Sequence, residues 1–119
     1  DGLSRCTQPW SVSGPAQAAG LAALAEPEHP ARARQLIALE RAWLTDALRA
    51  LGLQVFPSQV NYILFRAPEV DDLKERLLAH GVLIRSCANY VGLGRDYYRV
   101  AVRPHRENEG LIGAMEEVL

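Results

Sequence analysis

The spacing of apolar residues changes at Gly52, and this change limits the folds that the chain can adopt. Residues 31–52 carry apolar side chains at helical intervals, and Gly52 is placed to end that helix. After it come four short segments rich in β-branched and aromatic residues, which predict strands over 53–56, 60–66, 82–85 and 97–102. The chain is therefore expected to combine helices with a small sheet.

Three more segments predict helices. Ser13 and Pro15 are typical of a helix start, and the alanine-rich run after them is expected to pack closely. In residues 68–80, which Gly81 ends, four side chains are predicted to face inward: Val70, Leu73, Leu77 and Leu78. In the last helix, residues 107–119, the predicted inward set is Leu111, Ile112, Met115 and Val118.

The order of elements, α-α-β-β-α-β-β-α, predicts the α+β class, with helices packed on a small, mainly antiparallel sheet. Segment 60–66 is apolar on both faces, which favours a central position in that sheet. A length of 119 residues fits one domain with its own core.

Composition argues against several classes of function. The net charge of -1 argues against a nucleic-acid binder, because such proteins need a basic excess. Cys6 and Cys87 have neither zinc-ligand spacing nor a disulfide framework, so we expect no metal and a reduced, cytoplasmic setting. No segment approaches the length of a membrane span, so no membrane partner is expected.

One predicted strand carries a charged residue at its centre. In segment 97–102, Arg99 shares a face with Tyr97 and Ala101, whereas residues 98, 100 and 102 lie on the other face. The neighbouring strands add Arg66 and Arg85 but no acidic residue. Because arginine keeps its charge and its planar head fits a carboxylate or phosphate, this pattern indicates a small anionic ligand.

The residues alone leave other interpretations open. Arg99 could instead bind a backbone carbonyl or form a structural ion pair, for which the candidates are Asp71, Asp72 and Glu107. Arg85 has the same alternative. Asn61 is either a hydrogen-bonded core amide or a ligand contact. Lys74 is interpreted as a surface residue among charged neighbours, and a free-standing regulatory module that binds a small anion would also fit.

Three stretches resemble a known family: QPWSVSGPAQAAGLAAL, FPSQVNYILFR and GVLIRSCANYVGLGRDYYRVAVRPHRENEGLIGAMEEVL. They are similar to the C-terminal third of fold-type I pyridoxal-phosphate enzymes of the histidinol-phosphate aminotransferase family. Within it, the resemblance is greatest to the threonine-phosphate decarboxylase branch, which serves cobalamin biosynthesis. It covers nearly the whole chain, and IRSCANYVGLGRDYYRVAVR carries the distinction between the branches.

The resemblance implies a division of the chain and a role for three residues. Residues 1–30 would be a connector and interdomain helix, and residues 31–119 a small substrate-binding domain. The arginine at the position of Arg99 holds the substrate carboxylate in such enzymes, and Arg85 is expected near the carboxylate or phosphate of the same substrate. Asn61 matches a position near the domain interface. The implied substrate is a small anionic amino-acid phosphate.

The resemblance also implies that the catalytic parts of the enzyme lie upstream. The lysine that bonds pyridoxal phosphate belongs to an N-terminal large domain, so the chain is expected to be a fragment with no catalytic residue and no bound cofactor. Lys74 matches no such motif. The complete protein is expected to be a homodimer, either a decarboxylase or, alternatively, a histidinol-phosphate aminotransferase or related class I/II aminotransferase. The surface that its large domain or dimer partner covers is expected to include the first helix and Trp10.

Overall fold

The computed structural model describes residues 12–70 and 72–119. Within them the chain forms four helices: α1 (Gly14–Leu24), α2 (Glu28–Ala50), α3 (Leu73–Ala79) and α4 (His105–Val118). The four strands of this part are β1 (Gln54–Val55), β2 (Tyr62–Arg66), β3 (Arg85–Ser86) and β4 (Tyr97–Ala101). The predicted α+β class and the predicted order of elements are both confirmed.

Contacts divide the described residues into two units, residues 12–33 and Arg34–Leu119. In the first unit the side chain of Ser13 caps α1 as predicted, because its Oγ accepts a hydrogen bond from the Ala16 amide at 3.4 Å. All residues of α1 are exposed, so the expected close packing is not found within this first unit. Its apolar side chains surround the helix without forming one stripe. Trp10 lies outside the described residues.

The second unit contains the sheet, whose strand order is β1-β2-β4-β3 with every pair antiparallel. Strand β2 is central, as predicted, but only one of its faces is buried, because Ile63 and Phe65 alternate with more exposed residues. In the β2–β4 register Phe65 pairs with Tyr98 and Ile63 with Val100. These four side chains form the core face of the sheet.

Helices α2, α3 and α4 supply the rest of the hydrophobic core. The buried residues that they contribute are Leu44, Leu48, Leu73, Leu77, Leu111, Ala114, Met115 and Val118. Ile112 is partly buried against this core, and so is Val70. The prediction for Leu78 is wrong, because α3 has only two turns and presents Leu73 and Leu77, four residues apart, to the core. Leu78 lies on another side and is exposed.

Glycines end two helices where the sequence predicts them to. Gly52 follows α2 with φ +80°, and Gly81 follows α3 with φ +77°. Other side chains are disfavoured in this left-handed region. Of the predicted strand 82–85 only Arg85 is in a strand, which continues to Ser86, so the edge of the sheet next to β4 is short.

A buried amide joins α2, α4 and the end of β4. The side chain of Asn108 accepts from the Arg103 amide at 3.0 Å and donates to the Arg103 carbonyl at 2.6 Å. It also donates to Oε2 of Glu40 in α2 at 2.9 Å. Because Asn108 is fully buried and these groups satisfy it, the segment that leads out of β4 is fixed against both helices.

Replacing Leu44 by Ala is expected to lower the free energy of unfolding by about 2–5 kcal/mol, because the side chain is fully buried and its removal leaves a cavity. Leu39→Ala in the same helix is the matched control, since Leu39 is 74% exposed and its loss is expected to change little. Urea denaturation followed by circular dichroism measures both variants. Equal effects of the two substitutions would contradict the packing described for α2.

Candidate functional site

Strand β4 sends its side chains alternately to the core and to the open face of the sheet. Tyr98 and Val100 are buried, and Arg99 between them lies on the opposite face, half-buried. The predicted alternation is therefore confirmed. Arg99 pairs across the sheet with Leu64 of β2 on one side and with Arg85 of β3 on the other.

Two arginines thus stand directly opposite each other on neighbouring strands. Like charges in such a cross-strand pair repel and destabilise the sheet unless a counter-charge lies close by. Among residues 12–70 and 72–119, no carboxylate oxygen lies within 4.0 Å of the side-chain nitrogens of Arg99 or Arg85. The alternative of a structural ion pair is not observed for Asp72 or Glu107, and Glu107 instead binds Arg103. Asp71 lies outside the described residues.

An open cavity of about 550 Å³ lies at this pair of arginines. Its polar and charged lining consists of Asn61, Tyr62, Lys74, Arg85, Ser86 and Arg99. None of the described residues that line it is acidic. Lys74 has the carboxylate of Glu75 3.6 Å from its Nζ, whereas Arg85 and Arg99 have no described carboxylate within 4.0 Å. Such a lining suits a ligand with negative charge.

The structure brings together the three site residues predicted from the sequence, Arg99, Arg85 and Asn61, at this one cavity. Asn61 is exposed, so its interpretation as a core amide is wrong. Its carbonyl accepts a hydrogen bond from the Val102 amide at 2.9 Å, which fixes the residue beside the end of β4. The ligand-contact interpretation of its side chain stays a prediction.

The third arginine of the sheet, unlike Arg85 and Arg99, is paired with a carboxylate of the described residues. Nε of Arg66 in β2 donates to Oδ2 of Asp96, the residue that precedes β4. The same guanidinium lies 5.6 Å from the centroid of the Tyr97 ring, which stacks on Phe56 at 5.8 Å. The hydrogen bond and charge of Arg66 hold the pKa of Asp96 below its usual range. Arg66 is thereby occupied within the chain.

A second cavity, of about 590 Å³, lies near the same sheet edge but suits an anion less well. Lys74 and Arg95 line it together with three carboxylates, those of Asp72, Glu75 and Asp96. The acidic residues outnumber the cations there, so the cavity at Arg85 and Arg99 is the better candidate for binding an anion.

The sequence that builds this site was compared with known protein families. The sequence model of the family aminotransferase class I and II matches residues 1–116. The chain belongs to this family. No helix among the described residues is both long and apolar enough to span a membrane. In the same ranges, no group of three potential metal ligands is found.

Two kinds of curated relative are similar to this member of the family. Threonine-phosphate decarboxylase of Salmonella typhimurium is 42% identical over 119 residues, which are 98% of this chain and 33% of that protein. Histidinol-phosphate aminotransferase of Nitratidesulfovibrio vulgaris is 40% identical over 120 residues, which are 100% of this chain and 32% of that protein. The chain thus spans about a third of the length of these relatives.

Solved structures share the fold. L-threonine-O-3-phosphate decarboxylase from Porphyromonas gingivalis matches with a TM-score of 0.65 and 28% identity, over 68% of this chain and 26% of that one. A decarboxylase from Sulfurospirillum multivorans matches with a TM-score of 0.76 over 100% of this chain and 36% of that one. At 22% identity the second likeness supports the fold alone.

Sequence reasoning did not assign three residues to this region, although it considered Lys74 as a surface residue. Tyr62 and Lys74 line the cavity, and Asp96 is the partner that neutralises Arg66. Strand alternation could have placed Tyr62 on the face of Arg66, but no local pattern gives the cross-strand register. The Cβ position of Gly94 shows how tightly the loop folds around Asp96, because a side chain there would lie 2.6 Å from Oδ1.

Asp96→Asn is expected to destabilise the chain at neutral pH, and the difference from wild type is expected to vanish in acid. The folded-state pKa of Asp96 is lowered, so its contribution is complete above the unfolded pKa of about 3.9 and is lost as the pH falls through the folded pKa. Urea denaturation between pH 7 and pH 3 measures this change. A difference that stays constant over this range would contradict the ion pair.

The matched control is Asp46→Asn, which removes a carboxylate from an exposed pair with Arg49 at 3.5 Å. Exposed pairs of this kind contribute little to stability. We expect the Asp46 variant to follow the wild-type protein at every pH of the series.

Proposed function

We propose that this chain is the substrate-binding small domain of a pyridoxal-phosphate-dependent decarboxylase of L-threonine O-3-phosphate, and that Arg99 and Arg85 bind the anionic groups of the substrate. The observation that carries the proposal is the cross-strand arginine pair in a cavity without an acidic lining residue among those described. Such a pair is unfavourable alone and becomes favourable when an anion lies between its members.

The two guanidinium groups suit the two kinds of anion in this substrate. A guanidinium plane offers parallel N–H groups that match the two oxygens of a carboxylate or of a phosphate edge. Arg99, half-buried at the centre of the sheet, is assigned to the α-carboxylate, because its strand holds it in place on both sides. Arg85 is more exposed and lies on the edge strand, where it can follow a phosphate or the other carboxylate oxygen. Asn61 adds an exposed amide to the cavity wall.

The described residues do not fit a site for the cofactor itself. The sequence contains a single lysine, Lys74, whose side chain is 39% exposed on α3, with Nζ 3.6 Å from the carboxylate of Glu75. A reactive amine must be unprotonated, and the carboxylate beside Lys74 favours the protonated, unreactive ammonium instead. The domain is therefore assigned to substrate binding, and pyridoxal phosphate to the remainder of a longer protein.

The family match favours an enzyme over a free-standing regulatory module, because the relatives that match along this whole chain are enzymes by name. The proposal for the complete protein is a cytoplasmic homodimer with an N-terminal large domain, acting in cobalamin biosynthesis. Histidinol-phosphate aminotransferase is the second candidate, supported by the relative at 40% identity against 42% for the decarboxylase. Both named substrates are phosphorylated, so the arginine pair suits either.

Arg99→Ala in the complete protein is expected to weaken binding of L-threonine O-3-phosphate about 10- to 100-fold, because hydrogen bonds to a charged group are lost. Calorimetric titration measures the dissociation constant. Arg106→Ala is the matched control: it removes the same charge from an exposed position on α4 that does not line the cavity, and binding is expected to stay as in wild type. Reduced stability with unchanged affinity in Arg99→Ala would show a structural role instead.

Activity of the complete protein separates the two candidates. With pyridoxal phosphate present, we expect carbon dioxide release from L-threonine O-3-phosphate and no measurable amino transfer from histidinol phosphate to a 2-oxo acid. Decarboxylation breaks the bond from Cα to the carboxylate, whereas amino transfer breaks the bond from Cα to its hydrogen, and histidinol phosphate has no carboxylate to lose. The opposite result would assign the chain to the aminotransferase. Arg99→Ala is expected to reduce whichever activity is found.

A further inference from the structure

We propose that Tyr62 is a positioning residue for Arg99, with its ring face holding the guanidinium in the cavity while the N–H edges stay available to the ligand. The inference rests on the proposed function, because it concerns how the substrate-binding arginine is held. The distance that supports it joins Cζ of Arg99 to the centroid of the Tyr62 ring and is 4.6 Å. A guanidinium within about 6 Å of a ring centroid is attracted by the electrons of the ring face.

The strand register produces this contact. Tyr62 pairs with Ala101 and Leu64 pairs with Arg99, so Tyr62 is the diagonal neighbour of Arg99 on the open face of the sheet. Diagonal neighbours on one face lie within reach of aromatic and long side chains. Ala101, which stands between them along β4, has only a methyl group and leaves room for the ring. Tyr62 and Arg99 both line the cavity.

Two arginines on the same sheet face are held in two different ways. Arg66 is fixed by the carboxylate of Asp96, with a ring 5.6 Å away, and this partner occupies the group. Arg99 has a ring at 4.6 Å and, among the described residues, no carboxylate within 4.0 Å. A carboxylate in contact with Arg99 would compete with an anionic ligand for the same N–H groups. A ring face restrains the side chain and leaves both its charge and its edges free.

Restraint of this kind lowers the entropy lost when the ligand binds. A free arginine side chain has several rotatable bonds, and fixing them on binding opposes affinity. The ring face of Tyr62 limits these rotations before the ligand arrives. The contact also lies on the side of Arg99 away from Arg85, because β2 and β3 flank β4 on opposite sides. Tyr62 therefore steadies the member of the arginine pair that is assigned to the carboxylate.

The test compares Tyr62→Leu with Tyr62→Phe in the complete protein, with L-threonine O-3-phosphate as the ligand in calorimetric titrations. Loss of the ring is expected to weaken binding about two- to fivefold, whereas Tyr62→Phe keeps the ring face and is expected to bind as wild type. Tyr90→Leu is the control, because Tyr90 is 42% exposed against 41% for Tyr62 and does not line the cavity. Its affinity is expected to stay unchanged.

A spectroscopic signature tests the contact without any substitution. In proton NMR spectra of the 119-residue chain, the Arg99 δ-methylene signals are expected upfield of those of Arg85, because a ring face shields the group above it. If Tyr62→Leu does not fold, this shift decides the question: its presence supports the contact and its absence overturns it.

The remaining outcomes separate the two proposals. Unchanged affinity in Tyr62→Leu, or equal weakening in the Leu and Phe variants, would overturn the role of the ring face while leaving the arginine site intact. Unchanged affinity in Arg99→Ala would overturn both the substrate site and the role of Tyr62.

Discussion

The pairing register of β4 between β2 and β3 is the constraint on which the site depends. It places Tyr98 against Phe65 in the core, with ring centroids 5.8 Å apart, and so sends Arg99 to the open face. A slip of one residue would exchange the faces, burying the guanidinium and exposing two apolar side chains. Burial of an unpaired charge is far too costly for such a register to compete. The core therefore determines where the cation lies.

The same register decides which arginine remains available. Arg66 lies in β2 beside the end of β4, where Asp96 precedes the strand and its carboxylate reaches the guanidinium. Arg66 pairs with Tyr97, and Arg99 lies two residues after Tyr97 in β4, opposite Leu64 and Arg85. The carboxylate of Asp96 is already bound to Arg66. A difference of two positions along β4 thus separates the structural ion pair of Arg66 from the candidate anion site at Arg99. The sequences of the strands cannot distinguish Arg66 from Arg99, because neither strand contains an acidic residue.

Local sequence patterns predicted the elements and the face of Arg99 because alternation and helical periodicity depend on neighbours in the chain. They failed where the outcome depends on distant residues. The spacing of Leu78 from Val70 and Leu73 allowed an inward position. Only two turns of α3 form, however, and Leu73 and Leu77 are the residues that face the core. Asn61 sits between apolar residues in sequence yet is exposed, because β2 begins one residue later. The buried bond between Asn108 and Glu40 joins residues 68 apart, and no local signal marks it.

The open position of the arginine pair limits what this domain can do by itself. Charges that face water are screened, so an anion held by Arg85 and Arg99 in an open cavity gains only part of the attraction that an enclosed site would give. Closing such a cavity raises the strength of every charge contact in it, because water is removed from around the ligand. A binding surface of this kind therefore gains most from a structure that covers it. Under the proposed function, recognition of the anion and the chemistry performed on it would then be divided between separate parts of the protein.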